Sequence, residues 1–522
     1  MRAGKIAIAV SIIVLAAACQ NGGDDLQRTF HHDPILRATV QPNEMPSLKE
    51  VPTEEVTEEV SEHMDDKLRL RKLEDGFQLL YEEDEGEEIH VMETFVSPAV
   101  AGHSYAVHIV RRTVDSEDYL VREAVVVNAS GQSYKVYQLY EANVEDIYNP
   151  DSVAKAYGFL DDRHLLYVGV ANEQEGNGYY YEVKKLNIET GETETIVPMI
   201  PDVPHDDFFS RGWLNEKKDK LILITHGTGL MWSIDLANGN AKRTEHRFKQ
   251  PWPFFMTTPS ADGDAFWYYN YETSVYTLHD SDGNLLAERP PIEGYDTYPA
   301  FMWSPDSRYA AFHHTKDRDS SKPIQDVGEW QVVAMDRIIF MDKFGNEVAT
   351  VEAVPGTNVE AVGWLEGNGH LVLIRQYEWE LEDDEGNSGI GAKGNSQFYL
   401  FNIESGHRTK LRMVEGVPRA RGLLPIRTAN PVTGLDQALF LVNLEQSIVI
   451  TSTDSGRWIT DDSDTSFSWT ADDVDSNRYI HYRYDTATGE TTVLSTTNSS
   501  DVHSIGQDWL ATSDMRYVQL SR

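Results

Sequence analysis

A single cysteine, Cys19, stands in a chain of 522 residues. No internal disulfide can therefore form, and the fold must hold by burial and hydrogen bonding alone. Positive charge is scarce as well: 45 Lys and Arg face 85 Asp and Glu, for a formal net charge of -40. Such a surface repels nucleic acid and anionic lipid head groups at long range, which argues against a nucleic-acid partner, and its plainest role is solubility. Beyond the first residues no segment approaches the roughly 20 apolar residues of a membrane-spanning helix. His-Glu-x-x-His and Walker-type glycine loops are missing. The nearest approach to a hydrolase nucleophile elbow, Gly102-His103-Ser104-Tyr105-Ala106, lacks its second glycine and falls between two predicted strands, so it reads as a turn.

What is present begins with Met1-Arg2-Ala3-Gly4-Lys5, the apolar run Ile6 to Leu15, and then Ala16-Ala17-Ala18-Cys19. Charged, greasy and small residues in that order make a signal peptide, residues 1–18. The cysteine after the small residues resembles the lipobox of bacterial lipoproteins, with Ala16 where leucine is usual. The resemblance implies that Cys19 is acylated and anchors the chain to a bacterial membrane on its extracytoplasmic side. Residues 19–75 read as a polar tether carrying Pro34, Pro42, Pro46, Pro52 and an acidic run from Thr53 to Val60. Within the tether Val56, Val60, Met64 and Leu68 recur every four residues, the spacing of one short amphipathic helix.

From residue 76 to 522 the texture is short runs of Val, Ile, Tyr, Phe and Trp between Gly, Asn and Asp clusters, the mark of many short strands. Two phrases alternate. One is an aromatic residue, a polar turn and an apolar strand, as in Phe159-Leu-Asp161, Trp213-Leu-Asn215, Trp303-Ser-Pro-Asp306, Trp364-Leu-Glu-Gly and Trp509-Leu-Ala-Thr. The other is a glycine-centred hairpin, as in Asn187…Gly191, Asp235…Gly239, Asp280…Gly283, Asp342…Gly345, Asn402…Gly406 and Asp485…Gly489, where glycine supplies the positive φ of a tight turn. One copy of each makes a four-stranded meander. The expectation is an all-β fold, a β-propeller of seven or eight four-stranded blades. Candidate blades run near 93–139, 157–197, 210–245, 255–289, 299–352, 361–413 and 420–497, the last long enough for two. The tail from Ile505 supplies an inner pair, and Phe77–Tyr81 with Ile89–Met92 an outer hairpin. Pairing N-terminal and C-terminal strands in one blade would close the ring without a sheet edge.

The string Trp303-Ser304-Pro305-Asp306-Ser307-Arg308-Tyr309-Ala310-Ala311-Phe312 resembles the repeat of TolB-like and dipeptidyl-peptidase-type propellers, with Ser307 where glycine is usual. Lipobox, tether and propeller together resemble the YqgU-like propeller lipoproteins. The resemblance implies architecture; neither the α/β domain of TolB nor the hydrolase domain of the peptidases has a counterpart segment here.

In a propeller, loops between second and third strands and loops between blades emerge on one face. Here they are long and rich in aromatic and charged residues, which makes that face the expected binding surface. Its candidate residues are His205, Asp206, Asp207, Trp252, Phe254, Tyr295, Tyr298, Trp330, Tyr377, Trp379, Arg419 and Arg421. For each aromatic residue, plugging the base of its own loop is the competing role. The expected function is noncatalytic: an unknown protein, peptide or envelope glycan held by the long-loop face. The alternative is a hydrolase or lyase acting on polysaccharide or phosphoester, with His205, Asp206 and Asp207 as acid, base or metal-binding groups. No cofactor is expected. Calcium enters only through Asp461, Asp462, Asp464, Asp472, Asp473 and Asp475, whose plainer role is a solvated acidic run. His313 and His314 are neighbours on a strand and should point to opposite faces.

Overall fold

The computed structural model describes residues 67–519 apart from 83–86, 99–104, 115–118, 144–152, 173–178, 205–206, 249–256, 271, 317–335, 356, 385–386, 416–420, 429–439, 452–456, 460–465, 474–477, 498–501 and 506–507. Some strand residues, 295–301 and 378–395 among them, are described by backbone alone. The described residues form an all-β, propeller-like succession of eight sheets and contain no helix.

Six sheets are four-stranded antiparallel meanders: the first from Glu88 to Asn143, the second from Lys155 to Val197, the third from Phe209 to Arg247, the fourth from Thr257 to Arg289, the fifth from Tyr295 to Glu352 and the seventh from Arg457 to Thr497. The sixth spans Asn358 to Thr451 and has seven strands closed on themselves. In the eighth, strands Leu68–Leu73 and Gly76–Tyr81 join Val502–Ile505, Trp509–Thr512 and Arg516–Gln519. N- and C-terminal strands do share one sheet, with Gly76 beside Val518 and Phe77 beside Tyr517. The parts differ from expectation. The N-terminal hairpin is Leu68–Tyr81, so strand begins within the stretch read as tether. The strand Glu88–Val96 opens the first sheet instead of completing that hairpin. The overlong 420–497 segment does hold two units, a three-stranded one drawn into the sixth sheet and the seventh sheet itself.

Strands buried on both faces carry unbroken apolar runs. In Lys220–Thr225, Leu221 and Leu223 pack toward the second sheet while Ile222 and Ile224 pack toward the fourth. Every residue of Asn358–Leu365 is buried. Alternation thus places successive side chains in two different cores, and each gap between neighbouring sheets is filled in this way.

The two sequence phrases have distinct geometries. Each hairpin turn is organised by its leading Asn or Asp, as where Asp280 Oδ1 accepts the Asp282 and Asn284 amides at 2.9 and 2.8 Å while Gly283 adopts φ 78°. In the other phrase Ser304 Oγ donates to Asp306 Oδ1 at 2.7 Å and accepts the Tyr309 amide at 3.0 Å; Ser307 holds φ 58°, the conformation that makes glycine usual there. Ser260, Asp262, Gly263 and Ala265 repeat this turn without an aromatic leader. These turns stitch sheets together: Trp213 Nε1 donates to the Gly263 carbonyl at 3.1 Å, and the Asp262 amide donates to Ser307 Oγ at 2.8 Å.

Candidate functional site

Two buried carboxylates organise the roots of the long connections. Asp207 lies in the segment joining the second and third sheets. It does not project from the rim as an exposed acid would. It is buried, and its carboxylate accepts the amides of Phe208 (2.9 Å), Gly227 (2.7 Å) and Thr228 (2.8 Å) and the Thr228 hydroxyl (2.6 Å). Gly227 and Thr228 belong to the turn between the second and third strands of the third sheet, so one side chain ties an inter-sheet segment to a loop of the same face. Burial pushes the Asp207 carboxyl up, but the bonds from Thr228, Gly227 and Thr225 outweigh it and hold the group below the usual carboxylate range.

The second carboxylate is Glu360, fully buried in the first strand of the sixth sheet. Arg375, its register partner on the next strand, places Nη1 3.4 Å from Glu360 Oε1, donates from Nε to Ser396 Oγ at 2.9 Å and lies over the Tyr377 ring, 4.5 Å from its centroid. Tyr377 completes the group by donating its hydroxyl to Glu360 Oε2 at 3.3 Å. Burial pushes the Glu360 carboxyl up and Arg375 opposes it; burial beside Glu360 pushes the Tyr377 phenol up. The result is a guanidinium held on three sides at the point where Asn358 pairs with Tyr377 and the flanking strand ends. Of the expected rim residues, Tyr377 is thus placed in a built polar cluster. Glu360 and Arg375 were not singled out from sequence, although a lone glutamate within Asn-Val-Glu-Ala-Val-Gly-Trp-Leu signals a buried charge that needs a partner.

Arg421 lies elsewhere. Strand Leu423–Thr428 runs antiparallel to Asn358–Leu365, with Ile426 beside Leu365 and Thr428 beside Gly363. It therefore starts at the face where Asn358–Leu365 ends, and the chain has crossed between faces before Arg421. Arg421 Nε donates to the Thr488 carbonyl at 3.1 Å, in a hairpin turn of the short-turn face. Sequence order alone had set it on the long-loop face; the long-range pairing of Leu423–Thr428 moves it. Tyr295 pairs with Lys316, Tyr298 falls in the register shift after Thr297, and Trp379 pairs with Ala392, all by backbone only. Cys19, His205, Asp206, Trp252, Phe254, Trp330 and Arg419 lie outside the described residues.

Of the acids weighed for calcium, Asp472 and Asp473 end the eight-residue strand Ser466–Asp473, and Asp461, Asp462, Asp464 and Asp475 lie outside the described residues. His313 and His314 do face opposite ways: both are buried, and only His313 has a bonded ring nitrogen among the described residues, accepting the Ala361 amide.

A third polar cluster fastens the terminal hairpin to the first sheet. Glu87, almost completely buried, meets Lys67 Nζ at 2.9 Å and Arg112 Nη1 at 3.2 Å; Arg112 Nη2 meets buried Glu123 at 2.8 Å, and the Tyr81 hydroxyl donates to Glu123 at 3.2 Å.

No protein-family model matches the chain, and no curated protein matches it. Solved structures with a partial likeness include dihydro-heme d1 dehydrogenase NirN in complex with DHE, at 10% identity over 78% of this chain and 66% of that chain, TM-score 0.35. Others are an oligogalacturonate lyase in complex with manganese, at 12% identity over 78% and 96%, TM-score 0.30, and the Pseudomonas aeruginosa periplasmic gluconolactonase PpgL, at 11% identity over 77% and 95%, TM-score 0.29. At such TM-scores these likenesses say nothing of chemistry; the fold stands on the strand pairing.

Proposed function

We propose that this chain is an extracytoplasmic lipoprotein, acylated at Cys19, whose propeller holds a protein, peptide or envelope glycan on its long-connection face. The reading retains the TolB-like and YqgU-like resemblance as architecture only. The observation that carries it is that two buried acids at the roots of that face are used internally: Asp207 fixes Gly227 and Thr228, and Glu360 fixes Arg375 and Tyr377. A rim pinned in this way offers a preorganised surface, whereas an acid or base catalyst needs a carboxyl able to exchange its proton with substrate.

The test pairs binding with turnover. The full chain, purified in detergent, is applied to arrayed envelope glycans and peptides, and the same pools are assayed for cleavage. Binding that weakens about tenfold in Tyr377→Ala without any cleavage supports the reading. Glycan or phosphoester cleavage abolished by His205→Ala or Asp206→Asn establishes the hydrolase or lyase alternative instead. For the anchor, Cys19→Ser should move the protein from the membrane fraction to the soluble one; an unchanged distribution overturns acylation at that residue.

A further inference from the structure

The second and third strands of the sixth sheet, Leu371–Asp384 and Asn387–Asn402, are 14 and 16 residues long, while their flanking strands Asn358–Leu365 and Arg408–Glu415 have 8 each. The flanks stop early: Asn358 pairs with Tyr377, and Leu411 with Phe398. Beyond that line seven pairs, Glu378 with Lys393 through Asp384 with Asn387, join the two long strands only to each other. At about 3.3 Å per residue this two-stranded ribbon runs roughly 20 Å past the sheet. Among the described residues no strand borders either edge.

A lone two-stranded ribbon is marginal in water, and its edges present unpaired amides and carbonyls that another strand can take up. The usual guards are lysine, proline or a bulge on the edge. The Glu378–Asp384 edge has neither lysine nor proline, a register shift lies at its base between Gln376 and Glu378, and its charges, Glu378, Glu380, Glu382, Asp383 and Asp384, are all acidic, which repels an acidic strand and admits a basic one; its partner strand carries Lys393 and is weakened by Gly389 and Gly391. Register also sorts the residues by face, since paired residues share one. Glu378, Glu380, Glu382 and Asp384 fall on one face with Lys393, Gly391, Gly389 and Asn387; Trp379 and Leu381 fall on the other with Ala392 and Ile390, followed at the tip by Asp383 with Ser388. A third strand laid along this edge would meet acidic and apolar positions alternately from Glu378 to Glu382.

We propose that the Glu378–Asp384 edge receives an extended segment of a partner protein in which basic and apolar residues alternate, added as a third strand. Main-chain bonding gives the affinity, and the acidic face of the ribbon selects the basic side of the segment. This inference rests on the binding reading above and names its partner class.

The test uses the full chain in detergent and a fluorescein-labelled peptide of alternating Lys and Val, read by anisotropy. Three comparisons decide it. Replacing residues 379–392 by an Asn-Gly turn, which shortens the ribbon without touching the flanked sheet, should weaken binding at least about tenfold at an unchanged melting temperature. The same loss is expected when alternate backbone nitrogens of the peptide are methylated, because charge is kept and strand pairing is not. Glu378→Gln with Glu380→Gln and Glu382→Gln, which keeps the ribbon, should cause a smaller loss. If the methylated peptide binds as well as the parent, attraction is merely to the acidic surface and the proposal falls; equal binding to the shortened ribbon also overturns it. Should the peptide fail while Tyr377-dependent binding to the arrays persists, only the strand-addition inference is lost.

Discussion

His313 Nε2 accepts the backbone amide of Ala361 at 3.0 Å, joining the fifth sheet to the first strand of the sixth. The bond sets the proton on Nδ1 and gives the buried Ala361 amide an acceptor from another sheet. Replacing His313 by Leu should cost about 1–3 kcal/mol, the penalty for a buried donor losing its acceptor. Urea denaturation checks it; an unchanged midpoint would show that the amide finds another acceptor.

Protonation should do reversibly what that substitution does permanently. Burial pushes His108 and His313 down to about 3, and His279, His314 and His481 down to about 4. In the unfolded chain these rings titrate near 6.5, so the unfolded state binds the more protons as pH falls. Stability should be complete above about pH 6.5 and decline continuously toward pH 4, each ring adding up to roughly 1.4 kcal/mol per pH unit within that window. Denaturation midpoints at pH 7.5 and pH 5.0 measure it, and His313→Gln should reduce the difference. Equal midpoints would refute it.

Asp207→Asn keeps the shape of the side chain but turns an amino group toward donors the carboxylate now accepts. A loss of at least about 2 kcal/mol is expected, together with faster hydrogen exchange at the Gly227 and Thr228 amides. Unaltered exchange at those two amides would mean that the carboxylate does not pin the turn.

A Cβ built on Gly76 would lie 1.9 Å from the Tyr517 carbonyl oxygen, a backbone atom. Gly76→Ala should therefore force the strand Gly76–Tyr81 away from Arg516–Gln519 and loosen the one sheet that holds both chain ends. Limited proteolysis should release the Leu68–Tyr81 hairpin from the variant well before it cleaves the parent chain. Identical digestion patterns would contradict this.

Much of the fold was legible because it is written locally. Asp280 and Gly283 announce their hairpin in four residues, and Ser307 could stand for glycine because it sits in a turn closed by Ser304 and Asp306. The crossing before Arg421 was not legible. It follows from pairing Arg412–Glu415 in parallel with Ile448–Thr451, and Gly363–Leu365 with Ile426–Thr428, partners far apart in sequence whose apolar runs would suit many neighbours. The same limit applies at the rim. Tyr377 stood out as an aromatic residue in a long insert, whereas Glu360 is a single charge in a buried strand and only its neighbours across the sheet give it meaning. Asp207 was noticed for its acidity, yet what it does depends on two amides some twenty residues onward.

The sheet built from both chain ends also orders events in time. Asp75 and Arg516 meet at 2.9 Å although 441 residues separate them. At synthesis rates of about 5–20 residues per second, the hairpin Leu68–Tyr81 would wait roughly 20 to 90 s for its partner strand to exist. Among the described strands the first made are thus covered late, and the Leu68–Tyr81 hairpin is open to chaperones or proteases until Arg516–Gln519 has been synthesised.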